Sequence, residues 1–161
     1  MATVSVLNQN QFAQTPVIGE QDLTVNQNIV EARIWASSVS AAPLVAGQAF
    51  ALVDQPGSLP IVDVAAITAK AWGVAIHNMK GDTFVKGQAI ELALVGSTIY
   101  LETAGAIARG ARVQLTPTGP TITTATLGTN ASIGYAVDKA TATGQLIRVY
   151  IQPESIGETN Y

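Results

Sequence analysis

The sequence contains no cysteine, one histidine and only 12% charged residues. Without cysteine there are no disulfides and no thiolate metal sites. With His77 alone there is no site built on two histidines. Charged residues usually make up about a quarter of a globular chain; here eight cations, scattered singly, stand against eleven acids for a net charge of −3. That balance gives no basic face able to displace counterions from phosphates, so nucleic acid is not an expected partner. No apolar run approaches the roughly 20 residues of a spanning helix. The first eight residues lack the basic and apolar regions of a signal peptide. The expectation is a soluble protein made in the cytoplasm, without a membrane partner.

Catalytic patterns are also missing. There is no G-x-S-x-G element, no P-loop and no G-x-G-x-x-G turn. The acids are too dispersed for a calcium loop. We therefore expect no enzymatic activity, no cofactor and no metal.

What the chain does contain is a unit written twice. Gly73 laid on Gly134 brings Val74-Ala75-Ile76 onto Tyr135-Ala136-Val137. Gly87 laid on Gly144 brings Ile90, Leu92 and Leu94 onto Ile147, Val149 and Ile151, with Glu91 and Arg148 at one place on the opposite face. Upstream, residues 46–52 resemble residues 109–115. The spacing from Gly47 to Gly73 is 26 residues and from Gly110 to Gly134 is 24. In this overlay His77 falls on Asp138, a slot that takes either polar residue and so reads as surface.

Short alternating runs between Gly/Pro turns, with no long helical period, define the fold class as all-β: a small β-barrel or β-sandwich with two pseudo-repeated β units. Val30, Ala32, Ile34 and Ala36 share one face of the first strand, opposite Glu31, Arg33 and Trp35. Phe50 and Leu52 share a face in the next. Residues 65–71 allow one helical turn. Residues 98–102 form a linking strand, with Ile99 and Leu101 inward and Tyr100 outward. The domain is expected over 29–152, followed by a polar tail at 153–161.

Residues 1–28 differ from the rest. They are rich in Asn and Gln, and Phe12, Val17, Ile18, Leu23 and Val25 are spaced too irregularly for one helix or strand face. This reads as an extended N-terminal arm that cannot bury enough apolar surface alone. Its hydrophobic residues are expected to dock on this domain, on a neighbouring subunit or on another protein. Trp35, on the charged face of its strand, joins them as a candidate interface residue. Trp35 and Trp72 are also the two aromatics large enough to serve as a platform for sugars.

The second unit, Ile107-Ala108-Arg109-Gly110-Ala111-Arg112-Val113-Gln114-Leu115, then Ile133-Gly134-Tyr135-Ala136-Val137 and Leu146-Ile147-Arg148-Val149-Tyr150-Ile151, resembles the C-terminal pattern of tailed-phage capsid decoration, or cement, proteins. The resemblance covers about residues 44–152. It implies a virion structural protein that is synthesised in the host cytoplasm and binds the exterior of a phage capsid. In this family such proteins commonly form homotrimers on the major capsid protein and brace neighbouring subunits. The alternatives are another virion β protein, such as a head-fibre base or tail component, and a glycan-binding β module using Trp35 or Trp72.

Overall fold

The computed structural model describes residues 16–22, 25–77 and 83–157. It contains ten strands and, among the described residues, no helix. The expected Phe12 and Leu23 positions and the connection at 78–82 lie outside the described residues.

The strands fall into two sets of five. In the first, β1 (Ile29–Ile34), β2 (Ala49–Leu52), β3 (Ile61–Val64), β4 (Gly73–Ala75) and β5 (Ala89–Ala93) close a barrel in the order β1-β3-β2-β4-β5. The second set is β6 (Thr98–Glu102), β7 (Arg112–Leu115), β8 (Ile122–Thr124), β9 (Ser132–Ala136) and β10 (Leu146–Glu154), ordered β6-β10-β9-β7-β8. Read from the β3 or β8 end, the two orders are the same.

Register confirms the correspondence residue by residue. Val30 pairs with Leu92 and Ala32 with Ile90 in the first set; Ile99 pairs with Val149 and Leu101 with Ile147 in the second. The repeated unit is thus five strands long and begins at β1 and at β6. Residues 98–102 are not a linker but the first strand of the second unit.

Closure differs between the two. β1 and β3 run parallel with Arg33 opposite Ile61 and Ile34 opposite Val62. The equivalent contact of β6 with β8 is a single parallel bridge, Thr103 to Ile122.

Alternation fills the interiors. Ala32, Ile34, Phe50, Val62, Ala75, Phe84, Ile90 and Leu92 form the first core. The second, built on Ile99, Leu101, Val113, Ile122, Ile147, Val149 and Ile151, also takes Val74, Ile76 and Ala93 from the first unit. The face of β4 that points out of the first barrel therefore packs on the second core, and each fully buried Ile or Leu there contributes about 1.5–3 kcal/mol.

Several local expectations change. Leu52 does not share the fate of Phe50: at the last residue of β2 it is 54% exposed. Ala36 lies beyond β1 in an exposed turn. Residues 65–71 make a turn closed by Ala69 N–H to Ala66 C=O, not a helical segment. The expected tail boundary at 153 is too early, since β10 runs to Glu154 and both Pro153 and Glu154 are buried.

Candidate interaction surfaces

The described part of the arm docks on its own chain. Gly19 N–H donates to Tyr100 C=O at 2.6 Å, Tyr100 N–H to Glu20 C=O at 2.8 Å and Asp22 N–H to Thr98 C=O at 2.9 Å. Residues 19–22 thus lie along β6 as a short added strand, on the edge away from β10. His77 N–H donates to Gly19 C=O at 3.0 Å, so the same segment also reaches the first unit. Gly19 has φ +78° and a Cβ there would stand 2.8 Å from His77 N, so both conformation and space require glycine.

The amide-rich sequence has a role here. Gln27 Nε2 donates to Asp22 C=O at 2.7 Å and to Thr98 C=O at 3.2 Å, and Gln27 Oε1 accepts from Thr98 N–H at 3.2 Å. Asn28 N–H donates to Ser97 Oγ at 2.8 Å. A side-chain amide carries both donor and acceptor, which lets it bind a backbone edge as a peptide group would.

Asp22, only 4% exposed, lies 3.3 Å from Arg148 Nη1. Arg148 in turn gives Asp138 a fork of two bonds, Nε to Oδ2 at 2.9 Å and Nη2 to Oδ1 at 2.8 Å, and its backbone N–H donates to Oδ2 at 3.0 Å. The Arg148 side-chain bonds hold the Asp138 carboxyl below its ordinary range, and Asp138 raises the Arg148 guanidinium. Burial, then the Asp22 charge, raises the Tyr100 phenol. This Asp22–Arg148–Asp138 chain locks the arm to the second unit, and nothing in local sequence linked Asp22 to a residue 126 positions away.

A second network sits at the end of β10. Arg112 Nη2 stands 2.9 Å from Glu154 Oε2, and Tyr135 Oη donates to Glu154 Oε1 at 3.1 Å. Between the units is a cavity of about 240 Å³ lined by small apolar side chains, among them Ala49, Ala65, Ala71 and Ala131, with Gln48 at its wall.

The candidate interface residues separate. Ile18 packs partly buried against the second core. Val17 and Val25 are exposed at 40% and 44%. Trp35 is half-buried at the end of β1. Val39, which the periodicity did not single out, is 90% exposed, and Val85 is exposed as well. Trp72 packs against the first core. Among the described residues no group of three metal-ligating side chains occurs, and no helix is long and apolar enough to cross a membrane.

Two units of like strand order, the first a closed barrel and the second a five-stranded sheet, thus carry a docked arm and several exposed apolar side chains. The family model for phage cement proteins matches residues 32–151, and the chain belongs to that family. It is accordingly a structural protein of a phage virion, associated with the capsid. The crystal structure of the head fibre gp8.5 N base in bacteriophage phi29 is similar in fold, with a TM-score of 0.51 and 19% sequence identity over 79% of this chain and 95% of that one. No curated protein matches the sequence.

Proposed function

We propose that the protein binds the outer surface of the phage head, contacts the major capsid protein as a homotrimer and braces neighbouring capsid subunits without catalysing a reaction. The family match over residues 32–151 carries this reading. It is supported by exposed Val39 and Val85 and half-buried Trp35, solvent-facing apolar side chains of the kind that protein contacts use. A protein that binds only the assembled shell shifts stability towards it by mass action. Three linked copies would turn weak contacts into firm attachment.

The test adds purified protein to shells that lack it and measures occupancy and disruption temperature together. Saturable binding with a rise in disruption temperature is expected; binding without that rise would overturn the bracing role, and no binding would overturn the whole reading. A second reading follows from the likeness to the head fibre base: the domain seats a projecting fibre on the capsid. Electron microscopy of decorated particles separates the two, since a cap and a fibre differ in height.

A further inference from the structure

Leu94 N–H donates to Asn28 C=O and Ile34 N–H to Gln88 C=O, which turns the even-numbered residues of β1 towards β5. The backbone groups of Ile29, Glu31 and Arg33 therefore face the opposite edge. There Arg33 N–H is taken by Pro60 C=O at 2.8 Å. In a parallel ladder the next donor back, the one that would serve Glu31 C=O, belongs to residue 60 itself, and proline has no N–H. β3 leaves β1 at this point. Among the described residues, nothing pairs with the outward N–H and C=O of Glu31.

The second unit is built the same way. Pro120 holds the place of Pro60, Thr98 that of Ile29 and Tyr100 that of Glu31. Here the open edge is occupied: residues 19–22 pair with it, and Asp22 brings its carboxylate to Arg148. In the first unit Glu91 holds the place of Arg148, directly opposite Glu31. Both are exposed. Like charges facing each other across strands oppose the pairing. Among the described residues no cation forms a salt bridge with either carboxylate, and the guanidinium of neighbouring Arg33 donates to Gly87 C=O.

We propose that the Ile29 to Glu31 edge receives an added strand from a partner protein, an extended segment carrying lysine or arginine at the place Asp22 holds in the second unit. Backbone hydrogen bonds would hold such a strand, as they hold the arm on β6, and its cation would relieve the Glu31–Glu91 repulsion. Residues 1–15 contain neither lysine nor arginine.

The test uses the full-length protein and two synthetic peptides of residues 16–26, one with the native sequence and one with Asp22→Lys. Amide signals of the isotope-labelled protein are followed during titration to millimolar peptide. The lysine peptide is expected to shift Ile29 and Glu31 and to slow exchange of the Glu31 amide, binding about fivefold more tightly than the native peptide. Glu31→Lys/Glu91→Lys should reverse that preference. Glu31→Pro, which removes the outward N–H together with the carboxylate, should abolish binding of both peptides with the melting temperature little changed, whereas Glu31→Gln, which keeps the N–H, should abolish only the preference for lysine. Equal binding of both peptides, no shift with either, or shifts confined to Tyr100 and His77 would overturn the proposal. So would a Glu31 amide already protected in the free protein, which would mean that the chain's own leader or a second copy holds the edge.

Discussion

Gly73 and Gly134 occupy one position in the two units, each facing a carbonyl oxygen of its partner strand in the direction a Cβ would take. A Cβ on Gly73 would meet Ala93 O at 2.9 Å and Leu94 Cδ2 at 2.8 Å; on Gly134 it would overlap Tyr150 O outright. The glycines with which the two halves of the sequence align are thus places where two backbones approach too closely for any side chain.

Gly134→Ala should therefore destabilise by about 3 kcal/mol or more, and Gly73→Ala by about 1–2 kcal/mol, because at Gly73 the carbonyl needs to give by only a little and the leucine methyl can move, whereas at Gly134 the carbonyl would be overlapped outright. Thermal and denaturant melts check this, with Gly105→Ala as the neutral control, since nothing lies within 4 Å of a Cβ there. Equal costs for Gly105 and Gly134 would contradict it.

Gly19→Ala should release the arm without unfolding the two units. The amides of Tyr100 and His77, bonded to Glu20 C=O and Gly19 C=O, should exchange faster, while that of Ile151, bonded to Ser97 C=O, should keep its rate. Loss of protection at all three would show that the arm is integral to the fold.

Asp138 should contribute a pH-dependent share of stability. Its folded pKa is held below the ordinary 3.8 by Arg148, so the contribution is present above that value and is lost as pH falls through the folded one. Because the pair is partly exposed, its worth is discounted to about 1 kcal/mol at neutral pH. Asp138→Asn should lower the melting temperature at neutral pH and flatten its fall below about pH 4. An unchanged acid slope in the variant would refute this assignment.

Arg112→Met should cost about 3–5 kcal/mol, since it leaves the Glu154 carboxylate, with 3% of its side chain exposed, buried without its cation. Ending the chain after Gln152 removes both Glu154 and the last buried pairs of β10, and should also destabilise. Ending it after Gly157 should not. Urea melts of the three proteins would show whether the domain stops at 152 or 154.

Much of the framework was legible because strand periodicity is local: Ile99, Leu101, Ile147, Val149 and Ile151 alternate inward as their spacing requires. The matched hairpins were visible because the same steric demand places glycine at 73 and at 134. Leu52 and Pro153 were misread because a strand's end is set by where its partner strand departs, which no alternation records. The docking of Ile18 and the pairing of Asp22 with Arg148 were also out of reach. Irregular spacing in an extended segment says that apolar groups need cover but not which surface supplies it.

By itself the sequence determined the all-β class, the twofold repetition, the inward residues of most strands and the absence of cysteine chemistry, all of which follow from side-chain type and spacing of two. Only the tertiary structure decided that β6 opens the second unit, that the first barrel closes through a parallel pair while the second holds by one bridge, and that the arm completes its edge. Those outcomes depend on which backbone donors and acceptors meet across distant segments. Every residue carries the same peptide group, so sequence alone does not encode those pairings in any local pattern.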